Sequence, residues 1–543
     1  MNLKAISITV FSLLIALCTS CNPAKQNNKS SELETSAQST LVQTDKGQVA
    51  GYIDNGIFTY KGIPYAKAER FMAPQPADSW EGVRSSRAYG PTAPQGKRTG
   101  WYSDELAFSF NWDDGFPDEN CLRVNVWTPG INDGKKRPVM VWLHGGGYSS
   151  GSGQELPSYD GASLARKGDV VVITLNHRLN VLGFLDLSSF GEKYAASGNA
   201  GLLDLVAALQ WVQNNVEAFG GDASNVTIFG QSGGGGKVST LLATPAAEGL
   251  FHKAIVQSGS MLRTMDQKWS AKIGEAVVAE FGSVKALVAA PYEQILAAGE
   301  KAIAKIRPIA EAEGFASFIF GWAPTVDGNI LPCQPFDPQA PEQSKDIPVM
   351  LGSTIHEFSM STYVPMFRTI DTDGAIKYLQ TKFGDRAQEF VELMSKTYPD
   401  HKPVDLIDTD IIFRPSTLAQ ANVKVAQNGA PVYMYIFAWE SPVLDGILRS
   451  THCMEIPFVF NNADLHASMT GGGKEAIELA DKMSQAWINF ARTGNPNTDG
   501  LPLWPEYTQE EGATMIFDNN CEIKYNHDKE LMEFVRQFPT RGF

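Results

Sequence analysis

The chain has 543 residues, of which 43% are hydrophobic and 19% charged, enough apolar material for a large core and too much for a disordered or fibrous protein. Its 45 Lys and Arg against 60 Asp and Glu leave a net charge of −15 with no basic stripe, so its field repels phosphate backbones and nucleic acid is not an expected partner.

The first segment reads as an address. Lys4 supplies a positive charge, Ala5 to Cys18 is almost wholly apolar, and Thr19-Ser20 precede Cys21. That is a secretory signal over residues 1–21, too short for a stable membrane span. Its end resembles the lipobox of bacterial lipoproteins, which implies acylation at Cys21, export, and a periplasmic or cell-envelope location. Residues 22–40 hold no aromatic side chain and read as a flexible linker. The remainder, 41–543, reads as a single domain, with any membrane contact made only through the N-terminal lipid. Oligomeric state is not legible. Four cysteines remain in that body, Cys121, Cys333, Cys453 and Cys521; they permit free thiols or one or two bridges, and none has CxxC zinc spacing.

Short, nearly continuous apolar runs then alternate with helical stretches. Pro138–Leu143, Asp169–Leu175, Val226–Phe229, Ala254–Gln257, Pro348–Leu351 and Val432–Phe437 predict strands buried on both faces, and Gly201–Phe219 predicts a helix with Leu202, Leu205, Leu209 and Val212 on one face. The alternation implies an α/β fold with a large, mostly parallel central sheet flanked by helices. In such sheets the chemistry lies in the loops that follow the strands.

The first such loop is His144-Gly145-Gly146-Gly147, whose glycines let backbone N–H groups turn toward an oxyanion. The second is Gly230-Gln231-Ser232-Gly233-Gly234, a G-x-S-x-G between a strand and a helix. A turn that sharp strains its apex residue and requires neighbours without side chains, and it lifts Ser232 Oγ above the sheet. A short match arises readily in a chain with 49 glycines; the strand-turn-helix context separates this one from chance. A phosphate-binding loop ending at Lys237 is excluded by spacing, because it requires Gly at Gln231 and Ser or Thr at Val238.

From Val42 onward the chain resembles the type-B carboxylesterases, the cholinesterase-like branch of the α/β-hydrolases, on Tyr60-Lys-Gly-Ile-Pro-Tyr65, Glu119-Asn-Cys-Leu-Arg-Val-Asn125, the HGGG loop, Asn176-His-Arg178, Asn199-Ala-Gly-Leu-Leu-Asp204, Phe219-Gly-Gly-Asp222, the serine loop and Gln257-Ser-Gly-Ser260. The resemblance implies a fold with long insertions around an active-site gorge and a serine hydrolase of small-molecule carboxylic esters that needs no metal or organic cofactor. It implies Ser232 as nucleophile, Glu357 as acid, because Glu357 follows Pro348-Val-Met-Leu-Gly352, and His452 as base, because His452 precedes Cys-Met-Glu-Ile-Pro-Phe-Val-Phe460. It also implies N–H groups of Gly146, Gly147 and Gly233 as the oxyanion hole. Amide or carbamate hydrolysis through the same triad is the alternative, followed by a non-catalytic binding module, against which the intact Ser232, Glu357 and His452 argue.

Three departures from the family accompany these matches, one of them an entry turn after Tyr65-Ala66-Lys67 that is shorter than usual before Arg70-Phe71. Gln231 stands where cholinesterases have Glu. Ala93 in Gly90-Pro-Thr-Ala-Pro-Gln95 removes the usual disulfide partner of Cys121. Tyr102, Phe108, Phe110 and Trp112 occupy the expected gorge rim, where packing is the commoner role of an aromatic cluster. Of the other histidines, His356 is expected to be structural and His401, His466 and His527 to lie at the surface.

Overall fold

A computed structural model describes residues 33–96, 103–315 and 320–538. The signal segment, Cys21 and Tyr102 lie outside them. Among the described residues twelve strands make one sheet: β1 Leu33–Glu34, β2 Tyr52–Asp54, β3 Ile57–Pro64, β4 Arg123–Thr128, β5 Arg137–Leu143, β6 Val171–Leu175, β7 Gly221–Gln231, β8 Lys253–Gln257, β9 Val349–Thr354, β10 Val432–Phe437, β11 Ala513–Phe517 and β12 Glu522–Tyr525. Their spatial order is β1-β2-β3-β4-β6-β5-β7-β8-β9-β10-β11-β12. Every pairing from β6 to β11 is parallel, and the outer pairs are antiparallel.

The apolar runs became strands because both faces of the sheet are covered. Along β5, Val139, Val141 and Leu143 enter one apolar cluster while Met140 and Trp142 enter the other. Leu202, Leu205 and Leu209 of helix α2, Ala200–Asn215, fill the first, and Leu479, Met483 and Trp487 of α5, Lys474–Thr493, fill the second. The predicted helix over Gly201–Phe219 closes earlier than the sequence suggests, because Val216–Phe219 tightens into a 3-10 turn capped by Gly220 at φ 75°. The expected linker also ends sooner. Leu33 and Glu34 pair with Asp54 and Ile53, and the Thr40 carbonyl accepts from Tyr60 Oη at 2.8 Å. The four cysteines of the body are all free thiols, Cys121 and Cys453 buried and Cys333 exposed.

Three further helices are α1 Asp104–Phe110, α3 Gly233–Leu241 directly after Ser232, and α4 Phe413–Val425, whose Phe413 lies against His452. Below them Arg178 and Asp204, both buried, form a forked pair at 2.8 Å (Nε to Oδ2) and 2.6 Å (Nη2 to Oδ1), with the Arg178 N–H adding a third bond at 3.0 Å. Asp204→Ala strands a guanidinium in the core, so the urea-unfolding free energy should fall by about 3–5 kcal/mol. A loss under 1 kcal/mol would mean that water reaches Arg178.

Candidate functional site

β7 ends at Gln231 and α3 starts at Gly233, so Ser232 alone makes the turn, at φ 59° and ψ −125°. Such a backbone is strained for any residue with a side chain and persists only where its surroundings hold it. Here the Ser232 N–H donates to Gln257 O at 2.8 Å and the Ser232 carbonyl accepts from Gly236 N at 3.0 Å. The flanking glycines are required by contact as well as by conformation: a Cβ on Gly234 would lie 2.0 Å from Leu143 O, and one on Gly230 would lie 2.6 Å from the same oxygen.

The loop after β5 faces this turn. Gly146 and Gly147 have φ 81° and 62°, and Gly146 O accepts from the N–H groups of Ser149 and Ser150 at 3.3 and 3.1 Å, closing the loop on itself. A Cβ on Gly233 would meet Gly147 N at 2.5 Å and Gly147 O at 2.2 Å, so the two backbones approach as closely as glycine allows.

Glu357 and His452 come from the loops beyond β9 and β10. Both are buried, and His452 Nδ1 hydrogen-bonds Glu357 Oε2. The remaining carboxylate oxygen, Oε1, accepts from Thr354 N at 2.8 Å, and the Glu357 carbonyl accepts from His452 N at 2.8 Å. Phe358 and Phe413 lie against the imidazole, with ring centroids 4.5 and 5.2 Å away. Gln231 Nε2 is 3.3 Å from Nδ1 and 3.4 Å from Nε2 of His452. That near-equal spacing places the amide over the ring face, because an in-plane position would collide with the ring carbons. Cys453 Sγ donates to Gln231 Oε1 at 3.1 Å and orients this amide. No hydrogen bond joins Ser232 Oγ to His452 among the described residues; Gln231 is the link, its backbone leading into Ser232 and its side chain covering the imidazole.

Burial governs the charges. It pushes His452 down to about 4, against the opposing pull of the Glu455 and Asp410 carboxylates, so the imidazole is neutral at pH 7. Burial likewise pushes Glu357 upward, while Ser258 and Thr354 favour its ionised form. Glu455 and Asp410 are each raised to about 7 by burial and by the nearby Glu357. Asp410 accepts backbone N–H bonds from Ile412, Phe413 and Arg414 at 2.8, 3.0 and 2.7 Å. Cys453 is raised well above the ordinary thiol range by burial, which leaves it a poor nucleophile despite its place beside His452. Among the described residues no group of three or more His, Cys, Asp or Glu side chains is arranged to hold a metal ion.

The structure thus gathers Ser232, Gly146, Gly147, Gly233, Glu357 and His452 at the ends of the parallel strands. Of the aromatic cluster, Phe110 is buried and stacks on Trp112 at 4.9 Å, whereas Phe108 is 56% exposed. His466 is not at the surface as its polar neighbours suggested: it is buried, with Ser158 Oγ 2.5 Å from Nδ1, and with Ser109 O and Phe110 O 3.0 and 3.2 Å from Nε2. Its partners come from segments remote in sequence, not from the polar residues that flank it. His401 and His527 are half-buried, His401 Nδ1 lying 2.8 Å from Tyr398 O. Sequence reasoning gave Asp410 and Glu455 no role of their own and weighed Lys237 only as the end of an excluded phosphate-binding loop. Only Glu455 carries a signal, a charged residue inside an otherwise apolar stretch.

Residues 38–535 match the model of the carboxylesterase family. The chain is 38% identical over 519 residues to the para-nitrobenzyl esterase of Bacillus subtilis, covering 92% of this chain and 99% of that one. It is 33% identical to the phenmedipham hydrolase of Pseudarthrobacter oxydans, covering 89% and 96%. Among solved structures it resembles, with a TM-score of 0.80 and 38% identity over 92% of this chain and 98% of the other, an esterase from Clostridium hathewayi that hydrolyses aliphatic aromatic polyesters.

Proposed function

The chain belongs to the carboxylesterase family and is a carboxylic ester hydrolase, and from that premise we propose that it works through a Ser232-His452-Glu357 triad and an acyl-enzyme. His452 Nε2 takes the Ser232 Oγ proton as Oγ attacks the ester carbonyl, and Glu357 fixes the tautomer through Nδ1–H and stabilises the imidazolium. N–H groups of Gly146, Gly147 and Gly233 receive the oxyanion. The proton passes from His452 to the leaving alkoxide, the alcohol departs, and water activated by the same imidazole cleaves the acyl-serine. The observation that supports this most is the buried Nδ1–Glu357 contact lying beside a serine held at φ 59°.

Labelling tests it directly. A fluorophosphonate should modify the protein once, with the adduct on Ser232 in the digested peptide map; an adduct elsewhere, or none with esterase activity intact, removes the nucleophile assignment. Para-nitrobenzyl and p-nitrophenyl esters are suitable substrates, given the relative's name, and matched anilides and carbamates in a leaving-group series separate ester hydrolysis from amide or carbamate hydrolysis.

The buried base makes a pH prediction. His452 must be neutral to accept a proton, and its value is depressed below the ordinary 6.5. The acid limb of kcat/KM should therefore lie below pH 6.5, with full activity retained at that pH. A half-maximal point at or above 6.5 would contradict a dry imidazole.

From the sequence alone we also infer export with a lipid on Cys21; Cys21→Ser should release the protein from membranes and block palmitate labelling, and unchanged fractionation would argue for simple cleavage.

A further inference from the structure

We propose that Lys237 is a positioning residue that ties the helix carrying Ser232 to the glycine loop opposite, and so sets the spacing of the oxyanion hole. The inference rests on the triad reading above.

The hole is made by two elements that no covalent bond holds at a fixed distance. Gly233 belongs to α3, whereas Gly146 and Gly147 belong to the loop after β5. Lys237 lies on α3, four residues beyond Gly233, and is fully buried. Its Nζ donates to His144 O at 2.8 Å, the carbonyl at the start of the glycine loop. The same ammonium lies 5.5 Å from the centre of the Tyr148 ring, immediately after Gly147, and within the field of Glu155 farther along that loop. Thus one side chain on the serine helix engages the glycine loop at its beginning and just beyond its glycines.

Stability does not explain the choice. A lysine taken wholly out of water loses its hydration, and burial pulls Lys237 down to about 7. A methionine of similar length would fill the space without that loss. An ammonium also exceeds the need of one carbonyl. What it adds is a directed N–H bond across the gap between the two walls of the hole, where Gly233 and Gly147 already touch. Displacing a catalytic group by about 1 Å can lower a rate on the order of 100-fold.

The test compares Lys237→Met and Lys237→Gln with wild type, after counting active sites by the p-nitrophenol burst. Per active site, Lys237→Met should lower kcat for p-nitrophenyl butyrate about 10- to 100-fold, with KM within about threefold, and should weaken a trifluoromethyl ketone, whose serine adduct carries an oxyanion, by the same factor. Lys237→Gln, which keeps an N–H donor of shorter reach, should recover part of both. A merely structural lysine would lower the melting temperature and the number of active sites but leave kcat per site and ketone affinity unchanged; that result in Lys237→Met overturns the proposal. If Lys237→Met does not fold, Lys237→Leu, which also lacks a donor, is read in the same way, and wild-type kcat per site with wild-type ketone affinity decides against the proposal. Failure of Ser232 labelling would instead remove the triad reading on which this depends.

Discussion

Ser232→Ala is expected to lower kcat for p-nitrophenyl acetate, butyrate and octanoate by at least about three orders of magnitude, leaving only the residual acceleration from binding and the oxyanion hole. The substitution is clean. Ser232 contributes its backbone N–H to Gln257 O and its carbonyl to Gly236 N, and alanine keeps both bonds. The strained φ of 59° remains, since alanine tolerates it no worse than serine. A variant with unchanged melting temperature and no turnover therefore isolates the hydroxyl. Equal activity of variant and wild type on every ester would remove the elbow from the mechanism, and inertness of both would advance the binding-module reading.

The second large effect is expected from Glu357→Gln. Both carboxylate oxygens face donors: Oε1 accepts from Thr354 N at 2.8 Å and Oε2 from His452 Nδ1. An amide has one acceptor and one donor end. Whichever way it turns, its NH2 meets either the fixed Thr354 N–H or the imidazole Nδ1. The Thr354 donor is backbone and cannot yield, so the NH2 turns to His452, where only an unprotonated Nδ1 can receive it. That tautomer puts the proton on Nε2, where it cannot accept another from Ser232. Activity should fall by about 10³ to 10⁴-fold with little change in KM. A loss under tenfold, measured on protein whose fold is intact, would show that Glu357 does not set the tautomer.

Legibility from sequence followed how local each constraint is. β5 and β10 were visible because alternate residues feed separate cores, which leaves an apolar run with no polar beat. The Ser232 turn was visible because its steric demand falls on glycines two residues either side. His452 and Glu357 are 95 positions apart, and no spacing rule joins them; family resemblance supplied the pair that a contact across two loops now accounts for. Lys237, Asp410 and Glu455 stayed hidden because a charged letter reads as a solvated one unless its partner is known. His466 was misread for the same reason: Ser158 and the end of α1 are remote in sequence and adjacent in space.

If Ser232 and His452 act as proposed, the strand order also sets when the protein can first act. Ser232 follows β7, whereas His452 follows β10, and Gln231 must meet His452 across 221 positions of chain. During synthesis the nucleophile is made long before the base that activates it, and the sheet that brings them together lacks its β9 and β10 neighbours until most of the chain has appeared. A nascent or truncated chain ending before β10 contains Ser232 and lacks His452. On that reading the order of the chain withholds the proton acceptor until most of the sheet has been made.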